Sequence, residues 1–113
     1  MKGSFKMQLY LAGPMRSIKD FNFPAFNAAA AKLRAAGHEV FNPAEKGLEK
    51  DAGAQQELLS FRRKVFALDT AWICEHADAV ALLPNWPKSK GAVAEKALAD
   101  AIGIPAKLYT EFL

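Results

Sequence analysis

At 113 residues, with 51% hydrophobic and 24% charged positions, the chain has the size and balance of one soluble globular domain, 1–113, which excludes a disordered or low-complexity polypeptide. A net charge of +3, spread without a basic run, suits an anionic small molecule or a mere solubilising excess and does not by itself argue for a nucleic-acid polymer as partner. The lone cysteine excludes an internal disulfide, no stretch approaches the ~18 apolar residues of a membrane span, and Met1 to Lys6 carries no apolar leader, so a cytoplasmic protein without a membrane partner is expected.

Met7 to Ala12 predicts a first strand, ended by the breaker pair Gly13-Pro14. Phe23 to Ala36 places Phe26, Ala29, Ala30 and Leu33 on one helical stripe and stops at Gly37. His38 to Phe41 predicts a short second strand ending at Asn42-Pro43. Ala44 to Gln55, charged and glycine-containing, is expected to be a mobile loop and a candidate lid. From Glu57 to His76 the spacing of Leu58, Phe61, Val65, Leu68, Trp72 and Ile73 fits a long helix with a bulky apolar face, and the setting of Cys74 beside Trp72 and Ile73 predicts a buried, inert thiol. Ala79 to Leu83 reads as a buried strand, Ala92 to Ile102 as a helix stopped by Gly103, and Ile104 to Tyr109 as the last strand.

Strands alternating with helices imply an α/β fold, a small doubly wound, flavodoxin- or Rossmann-like parallel sheet of four to five strands. Ligands of such sheets bind at the carboxyl ends of the strands, near the reversal of strand order. That rule gathers the Gly13-Pro14-Met15-Arg16-Ser17 loop, the Asn42-Pro43 loop and the Pro84-to-Ser89 loop on one edge, with Glu95 close by.

The segment from Ser89 to Glu95, Ser-x-Gly-x-x-x-Glu, carries the densest chemistry. Ser89 is a candidate N-cap, so unpaired backbone N–H groups and the positive end of a helix dipole lie beside it, Gly91 allows close approach, and Glu95 sits further inside the helix. Two readings fit these residues: a site that holds a phosphate against a carboxylate, or an ordinary capped helix with a solvated glutamate. Other polar residues have plainer expectations. Asp78 falls at the amino end of the sheet, away from ligands; His38 and His76 lie apart from each other and from any carboxylate triad, so no metal site is expected. Trp72 and Phe61 fit core or dimer contacts, and Arg62-Arg63-Lys64 fits a solvated face by default, the alternative being that one arginine reaches a ligand phosphate.

The run Leu9-Tyr10-Leu11-Ala12-Gly13-Pro14-Met15, the Phe21-to-Phe26 stretch, Gly37-His38-Glu39-Val40-Phe41-Asn42-Pro43, and Leu82-Leu83-Pro84-Asn85-Trp86 followed by Ser89, Gly91 and Glu95 together resemble the nucleoside 2-deoxyribosyltransferase superfamily, in particular its small bacterial and phage branch. The resemblance spans nearly the whole chain from Met7. It implies that Glu95 attacks the anomeric carbon of a 2-deoxyribose and displaces the base, leaving a covalent glycosyl-enzyme, and that Asp69 orients Glu95 or the sugar and helps protonate the base. Tyr10, Gly13 and Pro14 match the loop framing base and sugar, and Asn42 and Trp86 lie in matched segments at the same edge. Enzymes acting on free nucleosides carry an acidic residue six positions before the nucleophile, where the monophosphate N-glycosidases carry a serine. Here it is Ser89, with Arg16 and Ser17 available to complete a phosphate clamp.

The implied activity is cleavage of the N-glycosidic bond of a (deoxy)nucleoside 5′-monophosphate, by hydrolysis or base transfer, with no cofactor and in a homodimer or larger homo-oligomer. A non-catalytic nucleotide-binding module, a sensor or sponge, is the alternative.

Overall fold

The computed structural model describes residues 6–16, 18–45 and 58–113. Four strands, β1 (Gln8–Ala12), β2 (Glu39–Phe41), β3 (Ala79–Leu82) and β4 (Ala106–Leu108), form one sheet in the order β2-β1-β3-β4, every pairing parallel. Three helices connect them: α1 (Phe23–Ala35), α2 (Leu59–His76) and α3 (Lys90–Ile102). The small doubly wound α/β fold expected from the alternation of elements is therefore present, with four strands. Strand order reverses between β1 and β3, whose carboxyl ends flank the switch point where such sheets bind ligands.

Burial on both faces explains why the central strands read as unbroken apolar runs: Leu9 to Ala12 and Ala79 to Leu82 are all buried. Side chains alternate across a strand, so β1 feeds two cores. Leu9 and Leu11 point to α1, meeting Phe26, Ala29, Ala30 and Leu33. Tyr10 and Ala12 point the other way, among Ile73 of α2 and Ala92 and Ala99 of α3. The parity of one strand thus decides that Tyr10 faces the two helices that carry Asp69 and Glu95.

Helix ends follow local chemistry. Ser89 caps α3, its Oγ accepting the Ala92 N–H at 3.1 Å, and Gly103 at φ 89° ends that helix in the left-handed region where a Cβ is costly. Before α1, Asp20, Phe21 and Asn22 stand at φ 54°, 54° and 61°, a left-handed turn for which L side chains pay. Asn22 Nδ2 donates to the Pro14 carbonyl at 2.9 Å, tying that turn to the loop after β1.

Three expectations need correction. α2 turns Phe61, Val65, Trp72 and Ile73 of the expected stripe inward, but Leu58, just before the helix, and Leu68 are 55% and 54% exposed, and Asp69 is buried on the inward face instead. Asp69 and Ile73 are four residues apart and share a face, and Leu68 stands about 100° around the helix from Asp69. Cys74 is exposed for the same reason, one step around from Ile73. Of the expected loop from Ala44 to Gln55, only Ala44 and Glu45 are described; they close a 3-10 turn (Pro43–Glu45), and Glu45 forms a two-pronged pair with Arg34 at 2.7 and 2.8 Å. The rest lies outside the described residues.

Candidate active site at the switch point

Tyr10 is the centre of the site. Its ring is 1% exposed and rests on an aromatic support, stacked on Phe41 at 5.2 Å between centroids, with Trp72 4.9 Å from Phe41 behind it. Its hydroxyl donates to Glu95 Oε2 at 2.8 Å and also bonds with Asp69, so one phenol stands between two carboxyls from two helices. Asp69 and Glu95 are only 7% and 6% exposed. A carboxyl group is rarely taken that far from water without a partner, and two together are rarer still.

Burial governs their protonation. Desolvation pushes the Glu95 carboxyl up to about 8; the Tyr10 hydrogen bond opposes this, and the neighbouring Asp69 charge adds to it. Burial likewise holds the Tyr10 phenol well above its ordinary value, reinforced by Glu95 and then Asp69. At neutral pH the trio therefore keeps a proton that an exposed pair of carboxylates would have released, and that proton belongs to the cluster as a whole.

The trio forms one end of an open cavity of about 780 Å³, ample for a nucleotide-sized ligand. Tyr10, Gly13, Pro14, Arg16, Asp69, Ser89, Gly91 and Glu95 all line it. Asn42 and Trp86 do not. Asn42, 1% exposed, uses its amide to accept from Ala44 N and donate to Asn27 Oδ1, so its work is to shape the turn after β2. Trp86 packs against the second core, with the Lys96 ammonium 5.9 Å from its ring centre. Ser17 lies outside the described residues.

Gly13 has a packing role as well as a place in the wall. A Cβ there would lie 2.8 Å from the Leu83 side chain, so only glycine lets the end of β1 close against the residue after β3. Gly91 differs: a Cβ would meet Ser89 Oγ at 3.9 Å and a Phe66 ring carbon at 4.0 Å, ordinary contacts, so the protein's own packing does not demand glycine there. With Ser89 Oγ engaged by the Ala92 N–H, the first-turn N–H groups of Lys90 and Gly91 have no helical carbonyl to reach, and both residues line the cavity. The Ser89 hydroxyl keeps its own proton to donate.

One pair of wall residues went unread in the sequence: Lys88 and Lys90 bracket Ser89 and line the cavity. Of the Arg62-Arg63-Lys64 run, from which one arginine was expected within reach of a ligand, both arginines line the cavity near the start of α2 while Lys64 does not. The signal for the lysines was their adjacency to a candidate cap. The opposite wall is apolar, with Met15, Phe26, Phe61, Val65 and Phe66.

The remaining polar residues serve the amino end of the sheet. Asp78 Oδ2 accepts from Gln8 N at 2.8 Å, and His38 bridges Met7 N and the Phe112 carbonyl at 3.1 and 2.8 Å. His76 is exposed beside Glu75 at 3.7 Å. Among the described residues no group of three or more His, Cys, Asp or Glu is placed to hold a metal ion, and no helix is long and apolar enough to cross a membrane.

The model of one protein family, described as a domain of unknown function (DUF4406), matches residues 7–108. No curated protein matches the chain.

Proposed function

We propose that this chain, which belongs to the DUF4406 family, cleaves the N-glycosidic bond of a (deoxy)nucleoside 5′-monophosphate through a glycosyl ester on Glu95. The observation that carries the reading is the buried trio: a carboxyl that holds its proton to about pH 8, bonded to a buried phenol and coupled to a second carboxyl, at the switch point of a doubly wound sheet. The resemblance to the deoxyribosyltransferase superfamily assigns the same two carboxyls the same work.

The chemistry balances within that trio. Glu95, ionised, attacks C1′ of the sugar; the C1′–N bond breaks, its electron pair leaves with the base, and the proton shared by the pair passes from Asp69 to the departing nitrogen. Asp69, now ionised, accepts a proton from water as the water oxygen attacks C1′ and frees Glu95. A second base in place of water gives transfer instead of hydrolysis. Tyr10 keeps the two carboxyls in register throughout. The phosphate docks at the start of α3, on the Ser89 hydroxyl, the N–H groups of Lys90 and Gly91, and Arg16 from the loop after β1.

Incubation with a panel of deoxynucleosides and their 5′-monophosphates, followed by chromatography, tests the reading. Base release by wild type is expected, and Glu95→Gln should lower it by at least about a thousandfold while leaving nucleotide affinity within about tenfold. A variant that turns over at the wild-type rate removes Glu95 from the mechanism. Tight binding by wild type without release of any base would favour the non-catalytic module, a reading that the proton held by Glu95 also supports, because a neutral carboxyl does not repel a bound phosphate.

A homodimer or larger closed oligomer is part of the proposal, since Leu59, Phe66 and Leu68 leave α2 with apolar surface at 55%, 37% and 54% exposure. Light scattering that shows only monomer at micromolar concentration would overturn that part alone.

A further inference from the structure

A single phosphate leaves much of the positive charge around this cavity unused. We propose that the same site takes a nucleoside 5′-oligophosphate, binding the diphosphate and triphosphate more tightly than the monophosphate, with Arg62 and Arg63 of α2 holding the phosphates beyond the first. This rests on the nucleotide reading of the site and extends its substrate class.

The argument starts from the register of α2 against α3. Asp69 and Glu95 meet at Tyr10, and Phe66 stands beside Gly91, within 4.0 Å of where a Cβ would be. One turn earlier on α2 come Arg62 and Arg63, about 5 Å further along the axis than Phe66; on α3, Ser89 is six residues before Glu95, about 9 Å along its axis. Both helices begin at the carboxyl edge of the sheet, with α2 overhanging the start of α3, since Phe66 is its eighth residue and Gly91 the second of α3, and both arginines line the same cavity as Lys88, Ser89 and Lys90. The cations thus gather at the end of the cavity remote from the carboxyls, beyond the first phosphate's seat.

Charge counts in the same direction. Arg16, Arg62, Arg63, Lys88 and Lys90 face two carboxyls, of which Glu95 keeps its proton to about pH 8. Among the described residues Arg62, Arg63, Lys88 and Lys90 form no ion pair with a carboxylate. A monophosphate brings a charge of about −1.5 to −2 at pH 7. Each further phosphate adds at least one more negative charge, and two adjacent guanidinium forks suit bidentate phosphate contacts. The cavity of about 780 Å³ is open, so the added phosphates extend toward the mouth without disturbing sugar or base.

The test is equilibrium binding to the full chain carrying Glu95→Gln, which silences turnover, using the common deoxynucleosides as 5′-mono-, di- and triphosphates at low ionic strength with a chelator present to remove magnesium. Affinity should rise by roughly threefold or more with each phosphate, with a steeper salt dependence for the triphosphate. Arg62→Ala together with Arg63→Ala should bring the triphosphate-to-monophosphate affinity ratio to within about twofold of unity. Both side chains are exposed, so the double variant keeps the fold. Monophosphate binding as tight as triphosphate, a ratio that survives the double variant, or inorganic triphosphate binding as tightly as the nucleotide would each overturn the inference and leave the monophosphate reading standing. Failure of every nucleotide to bind would remove both.

Discussion

The two faces of the sheet share strands β1 and β3 yet are built to different ends. On the α1 side Phe26, Ala29, Ala30 and Leu33 recur at the spacing of one helical stripe and meet Leu9 and Leu11, all buried and all apolar. On the other side α2 and α3 bury Ile73, Ala92 and Ala99, but the same inward stripes also carry Asp69 and Glu95 around the Tyr10 hydroxyl. The first face contributes apolar burial and, through Leu11 and Phe26, part of the cavity wall, but no charged group. The second gives up part of that burial to hold two carboxyls out of water, a cost that a protein keeps only where the groups are used. The left-handed turn at Asp20 to Asn22, strained in its own right, bonds to the loop that brings Pro14 to the cavity.

The sharpest way to break this comparison is to damage each face in turn. Leu33 is fully buried against β1, and Leu33→Ala should cost about 2–5 kcal/mol in stability, read from denaturant midpoints, while the activity of the remaining folded protein stays unchanged. Equal loss of turnover per folded molecule would mean that packing at Leu33 also governs the chemistry of the site.

A second contrast lies in pH. The folded-state Glu95 carboxyl is raised from 4.5 to about 8, so the folded chain holds a proton that the unfolded chain releases. The stability this confers is fully present below about pH 4.5 and is lost as pH rises to about 8, a decline on the order of a few kcal/mol. Glu95→Gln should flatten that slope, leaving a variant more stable than wild type above pH 8. Parallel stability curves for the two proteins between those limits would show that Glu95 is not desolvated in solution. The same titration predicts a descending limb near pH 8 in kcat/KM, because the pair then loses the shared proton that the proposed chemistry passes to the departing base.

The smallest expected effect sharpens the phosphate end of the site. Ser89→Asp should weaken use of the monophosphate by about 1.4 kcal/mol, tenfold, through repulsion at the start of α3, while sparing the free nucleoside. Aspartate also caps helices, so stability should hardly move. An unchanged ratio of monophosphate to nucleoside efficiency would place the phosphate elsewhere, whatever Glu95 does.

Much of this molecule follows from local chemistry that a sequence carries openly. Gly13-Pro14 ends β1, Gly103 ends α3, Ser89 begins it, and the unbroken apolar runs of β1 and β3 announce strands buried on both faces. The α1 stripe is as legible, because every inward residue is apolar. What the chain alone could not settle is which polar residue α2 buries: Phe61, Val65, Trp72 and Ile73 announced the inward face, and the fold sets Asp69 among them while Leu58 and Leu68 stay exposed. Periodicity ranks residues by hydrophobicity, so a carboxyl buried on the apolar face escapes it.

The protonation of Glu95 belongs to the same class, for desolvation by neighbours from β1 and α2 is a property of packing and not of any local motif. So does the union of Arg62 and Arg63 with Lys88, Ser89 and Lys90 around one cavity, which requires two helices distant in sequence to begin at one edge of the sheet. Asn42 and Trp86 show the converse: each lies in a stretch that the sequence placed at the ligand edge, and each spends its side chain on the protein itself. Elements and their ends were local matters of turn chemistry and capping; which side chains share a cavity was decided by strand order and helix phase, because only packing in three dimensions sets them.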